Sequence, residues 1–160
     1  MTMRIISPIA IRQHLDDLGI EYRHVTHAET RTSVESAAVR GEPLANGAKA
    51  LVMKVSEEFH LFVLSAARKV DSGAIKRRLG VRSARFATAE ELLDLTGLVP
   101  GSVPPFGEPT LPLKLYLDEN VPSLERVAFN AASLTESIIM STSDDIRAAS
   151  PAAIFSFSAP

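Results

Sequence analysis

The chain has 160 residues, a formal net charge of −2, 46% hydrophobic and 22% charged residues, and no cysteine. That length suits one compact domain with a real core, and the apolar and charged fractions exclude a disordered or fibrous chain. Without cysteine there is no disulfide framework, thiolate metal cluster or cysteine nucleophile, and the near-neutral charge means that any nucleic-acid contact must be local.

The N-terminal stretch MTMRIISPIAIRQHL has neither a sustained apolar h-region nor a small-residue cleavage site, so a cytoplasmic protein with no membrane contact is expected. Ile9, Ile11, Leu15 and Leu18 recur at helical spacing from Pro8 to Leu18, with Ser7 as cap and Gly19 as stop. Ile20, Tyr22 and Val25 read as a short strand, and Thr32 or Ser33 opens a second helix that runs through Val39 to Gly41. Pro43 forces a turn. Ala48 to Val55, a turn at 56–58 and Phe59 to Ala66 form the clearest β-hairpin, with apolar residues on both faces of both strands. Such a sheet is covered on both sides.

A helix follows from Ser72 to Leu79, ended by Gly80, then a strand around Arg82 to Phe86 and a helix from Thr88 to Leu95 with Thr88 and Glu91 as a capping box. GLVPGSVPPFGEPTLP, residues 97–112, is too rich in Gly and Pro for any helix or central strand and reads as a rigid, shaped loop. Strands resume at Leu113 to Leu117, Arg126 to Phe129 and Ser137 to Met140, followed by a helix from Thr142 to Ala149 and a last strand at Ile154 to Phe157.

No dinucleotide fingerprint, P-loop, zinc-type His spacing, nucleophile elbow or EF-hand loop occurs in the sequence. His24 and His27, with Glu29 nearby, would suit a metal site on a helix, but the flanking Tyr22, Val25 and Thr26 point to a strand end. Lys49 is more informative, because on a strand it shares a face with Leu51, Met53 and Val55. A lysine there either snorkels outward from the strand's start or meets an anion. In the Gly/Pro loop, glycines let a ligand approach the backbone and prolines lower the ordering cost of binding; a stiff connector would have the same composition. The residues by themselves lead to a pocket between a hairpin lysine and a rigid loop.

NGAKALVMKV, TGLVPGSVPPFG and AFNAASLTESIIM, in this order, resemble the YbaK family, the prolyl-tRNA-synthetase-associated editing domains, over nearly the whole chain from VTHAET onward. The likeness is to its free-standing, YeaK-like bacterial branch. It implies an α+β fold over 1–160, a single domain whose mixed, mostly antiparallel, curved or barrel-like sheet is flanked by helices. The family's lysine falls on Lys49, and its G-x-x-x-P loop on Gly101, Ser102, Val103, Pro104 and Pro105, with Phe106 and Gly107 completing it. Its N-A-G motif falls on Asn130, Ala131 and Ala132, so an alanine stands where the family has glycine. Asn130 also stands where synthetase-inserted relatives carry a histidine, so no histidine base is carried over.

The resemblance implies a trans-editing deacylase that hydrolyses the ester between a small misattached amino acid, alanine or serine, and the acceptor end of a tRNA, with water as nucleophile and no cofactor or metal. Lys49 would hold the terminal phosphate or ribose, and the amides of Gly101 and Ser102 would face the carbonyl oxygen. Thr26, His27, Val103 to Phe106 and Asn130 to Ser133 would line the substrate side, where Thr26, Ser102, Asn130 or Ser133 could favour serine by a hydrogen bond. Association with a synthetase and oligomeric state stay open. The alternatives are a non-catalytic tRNA- or synthetase-binding module of the same fold and a metal-free hydrolase of another small ester or amide. The basic cluster Arg68, Lys69, Lys76, Arg77 and Arg78 is either a tRNA-facing rim or a solvated face.

Overall fold

Local side-chain chemistry sets the helix ends in the computed structural model, which describes residues 6–160. The Ser7 hydroxyl accepts the Ala10 N–H at the start of α1 (Pro8–Asp17), and Thr32 does the same for α2 (Ser33–Arg40), which Gly41 stops at φ 68°. Asp71 caps α3 (Ser72–Leu79), and Thr88 and Glu91 form the expected reciprocal capping box at α4 (Ala89–Thr96). Ser141 caps α5 (Thr142–Ala149), whose bounds match those read from the sequence. No helix among the described residues is long and apolar enough to cross a membrane.

The strands are β1 (Arg23–Thr26), β2 (Ala48–Val55), β3 (Glu58–Ser65), β4 (Lys69–Val70), β5 (Ala84–Phe86), β6 (Leu115–Asp118), β7 (Arg126–Asn130), β8 (Glu136–Ser141), β9 (Ala153–Phe155) and β10 (Ser158–Ala159). They form a five-stranded sheet in the order β5-β2-β3-β6-β9, a three-stranded sheet β1-β8-β7 and a two-stranded pair β10-β4. β6 joins β3 and β9 in parallel, whereas the other strand pairs are antiparallel. The mixed, mostly antiparallel α+β arrangement is as expected, but the sheets stay separate and close no barrel among the described residues. The hairpin turn is one residue tighter than the sequence suggested, with Ser56 at φ 56° and β3 already under way at Glu58.

Alternation along β2 and β3 divides the core as their two-sided apolar pattern requires. Val52, Leu61 and Val63 face the larger cluster, with Ile11 and Leu15 of α1, Phe129 of β7, and Val103 and Phe106 of the 97–112 loop. Met53, Val55, Phe62 and Leu64 face a second cluster with Ile75 of α3 and Phe157. The Gly/Pro loop is therefore anchored core. Phe106 is 1% exposed and meets Phe129 edge to face at 5.2 Å, and a Cβ on Gly107 would lie 2.6 Å from the Leu113 carbonyl oxygen.

Candidate active site

β5 pairs with β2 only at Met53, Lys54 and Val55, so no neighbouring strand among the described residues covers the first half of β2 on that side. Ala87 N–H donates to the Val52 carbonyl from the β5 side, so alternation turns the Ala50 N–H and C=O toward the same open edge. Against this edge lies a hollow of about 180 Å³, walled by α2, by Gly101 and Val103 of the loop and by Ala128 and Asn130 of β7. Its charged lining is Arg31, Arg40 and Lys49, with no Asp or Glu among the lining residues. A small cavity whose charged side chains are all cationic suits a compact ligand carrying or developing negative charge.

Lys49 is half-buried at the second position of β2, and its ammonium donates to the Arg68 carbonyl at 2.9 Å. One of its three N–H groups is so used, which leaves two for a ligand in the hollow that it lines. Burial pushes its pKa below the ordinary lysine value. The lysine neither snorkels freely nor sits in the apolar cluster: it lines the hollow, and its ammonium is anchored on the Arg68 carbonyl.

Asn130 ends β7, and its Nδ2 donates to the Gly101 carbonyl at 2.8 Å, which ties the third motif to the second. Its Oδ1 accepts from Arg40 Nη2 at 2.9 Å and from the Ser137 hydroxyl at 3.1 Å. Arg40 also donates from Nε to Ser137 Oγ at 2.9 Å. Burial lowers the Arg40 pKa to about 10, with Glu42 acting weakly the other way.

Other expected site residues fall elsewhere. The amide and hydroxyl of Ser102 are both engaged with Val99, at 3.1 Å and 2.8 Å to its carbonyl, and Ser102 does not line the hollow. Pro104, Pro105 and Phe106 are buried as the loop's anchor, and only Val103 and Gly101 of that segment reach the cavity. Thr26 pairs with Glu136 in the β1–β8 ladder, and the His27 ring meets Ser137 Oγ and the Ala28 carbonyl, each at 2.8 Å. Ala131, Ala132 and Ser133 form the turn between β7 and β8, with Ala132 at φ 60° and the Ser133 hydroxyl against Thr135. His24 pairs with Glu136 at 2.8 Å, and no group of three or more His, Cys, Asp or Glu able to hold a metal ion occurs among the described residues. Arg40, Ser137 and the α2 wall were not singled out from the sequence. Arg40 reads there as an ordinary cation at a helix C-terminus, complementary to the helix dipole.

The chain belongs to the aminoacyl-tRNA editing domain family, whose model matches residues 27–148. Membership makes it an editing enzyme of the hydrolase class. It is 35% identical over 143 residues to the multifunctional Ser/Thr-tRNA deacylase ProXp-y of Escherichia coli K12, covering 86% of this chain and 84% of that one. It is 32% identical over 103 residues to the proline–tRNA ligase of Shouchella clausii, a stretch that is 64% of this chain and 18% of the ligase. Among solved structures, a candidate trans-editing enzyme for prolyl tRNA synthetase superposes with a TM-score of 0.81 at 25% identity, over 96% of this chain and 97% of that one.

Proposed function

We propose that the protein acts in trans on mischarged tRNA in the cytoplasm, hydrolysing the ester that joins a small amino acid to the terminal adenosine. The observation that carries this reading is that Lys49 and the Gly101–Asn130 pair line one cavity of about 180 Å³. Thr30, Ser33 and Ser36 add hydroxyl-bearing residues to its wall. Together with the activity named for the Escherichia coli relative, this favours serine and threonine, and it keeps serine of the pair alanine and serine expected from the sequence.

In the reaction, water adds to the ester carbonyl, and the tetrahedral intermediate collapses by breaking the bond to the ribose oxygen, which leaves with a proton. The protein's part is to position and polarise. Lys49 holds the phosphate or ribose of the acceptor end by a charge-assisted contact. The expected oxyanion donor at Ser102 is replaced: its amide is spent on Val99, so the donors are the amide of Gly101 and the edge amide of Ala50. The neighbouring ribose hydroxyl of the substrate helps move the proton. Orientation alone can supply several kcal/mol of barrier lowering, so no Ser-His-Asp set is needed.

Incubation with tRNAs charged with serine, threonine, alanine and a large residue such as phenylalanine tests the reading. Release of the small residues, and not of phenylalanine, supports it. Tight binding of mischarged tRNA without release would make the chain a binding module, and neither binding nor release would remove tRNA from its function.

A further inference from the structure

Arg40 is 8% exposed, yet it has no carboxylate partner among the described residues. The nearby candidate, Glu42, is committed to Arg126, with Nη2 at 3.0 Å and Nε closer still. The buried guanidinium is instead held by neutral oxygens: Ser137 Oγ, Asn130 Oδ1 and, at 3.5 Å, the Ala128 carbonyl. Burying a charge on dipoles alone is costly, and an apolar residue at the end of α2 would avoid that cost. What the charge does supply is direction.

A guanidinium has donors and no acceptor, so the Asn130 amide must offer it the oxygen. The Ser137 hydroxyl directs its own contact to that same oxygen. With both contacts on Oδ1, the Nδ2 end faces the loop, where it donates to the Gly101 carbonyl. Gly101 itself stands at φ 89°, a conformation that the flexible backbone of glycine leaves free unless something outside it holds the peptide. The peptide that follows it is held at both ends, its N–H on the Val99 carbonyl within the loop and its C=O on Asn130 Nδ2 from β7, and only the second hold ties the loop to the wall of the hollow.

We propose that Arg40 is a positioning residue for deacylation: by fixing which end of the Asn130 amide faces the loop, it holds the Gly101 carbonyl, and with it the loop backbone at the hollow that Lys49 also lines. This rests on the deacylase reading above for its rate consequence, but its geometric half stands independently. Arg40 also lines the hollow, but its Nε, Nη1 and Nη2 are engaged with Ser137, Ala128 and Asn130, so it acts through Asn130. Its removal should slow the chemical step while leaving the grip on tRNA almost unchanged.

The test combines single-turnover kinetics on seryl-tRNA, at a series of enzyme concentrations, with the amide NMR signals of Gly101 and Ser102. Arg40→Met is expected to lower the rate at saturation by about tenfold to a hundredfold, the range over which small misplacements act. The half-saturating concentration should hardly change, and the two amide signals should shift or broaden. Arg40→Lys should not restore them, since one ammonium cannot reproduce the planar fork that spans Ser137 and Asn130. Asn130→Asp keeps an acceptor for Arg40 but loses the donor to Gly101, so it should show the same loss, and adding Arg40→Met to it should cost little more.

An unchanged saturated rate with unmoved amides in Arg40→Met would overturn the proposal. So would a loss confined to the half-saturating concentration, which would make Arg40 a tRNA ligand, or losses that multiply in the double variant. If Arg40→Met does not fold, Asn130→Asp decides: wild-type rate and amide positions there refute the relay. If the wild-type protein releases no amino acid from any mischarged tRNA, the deacylase reading fails by itself, and the amide signals alone decide whether Arg40 sets the loop.

Discussion

The Lys49 ammonium rests on the carbonyl oxygen of Arg68 at 2.9 Å, nineteen residues further along the chain. Arg68 is itself held from Nε to Ser158 Oγ at 2.6 Å, and that hydroxyl donates to Asp118 at 2.7 Å. The cation at the hollow is thus braced through β10 to the end of β6, which limits the rotamers that a long, flexible lysine would otherwise explore. A braced cation loses less freedom when an anionic group arrives.

Ala132 occupies the left-handed region at φ 60°, at the position where the family motif has glycine. The methyl group does not reach the hollow, so this departure is a matter of backbone strain and not of pocket size. Left-handed backbone costs an L-residue roughly 1 to 2 kcal/mol, part of which glycine returns through its freer unfolded chain. Ala132→Gly should raise stability by about 0.5 to 1 kcal/mol. Urea unfolding with an unchanged slope and a higher midpoint would show it.

Asp145 on α5 is 1% exposed, and neither carboxyl oxygen has a hydrogen-bond partner among the described residues. Burial raises its pKa from 3.8 to about 8. Between those values the folded chain holds a proton that the unfolded chain has released, so stability is greatest in acid and falls as pH rises toward 8. The fall should be at most about 1.4 kcal/mol per pH step of one from this group. Asp145→Asn, which cannot ionise, should flatten the dependence between pH 5 and 8 and be more stable than the wild type at the alkaline end. Thermal unfolding across that range checks the sign.

Val103 brings an apolar wall to the cavity from the loop, while its neighbours Ser102 and Pro104 do not line it. Val103→Ala removes two methyl groups from that wall. A difference of one methylene in an apolar site is worth about 1 to 3 kcal/mol of discrimination. The variant should therefore release larger residues, valine for example, from tRNA that the wild-type protein spares, measured as the ratio of the two rates.

Helix ends were legible because their chemistry is local: Thr88 with Glu91, or a glycine such as Gly80 at φ 66°, announces itself within four residues. The β2–β3 hairpin was legible for the same reason, its partners being neighbours in the chain. The parallel placement of β6 between β3 and β9 was not, since nothing in LYLD says which distant strand it joins. β4 and β10, with two residues each, are too short to carry any periodicity. At the site, motif positions located Lys49, Gly101 and Asn130, yet the direction of a side chain depends on its tertiary partners. Ser102 turned to Val99, and Arg40 reached across to Asn130 and Ser137, contacts made over 90 and 97 residues of sequence.

The central claim is that the Lys49 cation and the Gly101 loop work across one hollow on the same ester. Lys49→Ala should reduce seryl-tRNA deacylation by at least about a hundredfold, comparable to the loss of one preorganised electrostatic contact in a transition state. Its thermal unfolding should remain cooperative, because the lysine gives only one hydrogen bond to the fold. Cooperative unfolding together with wild-type turnover would contradict the account.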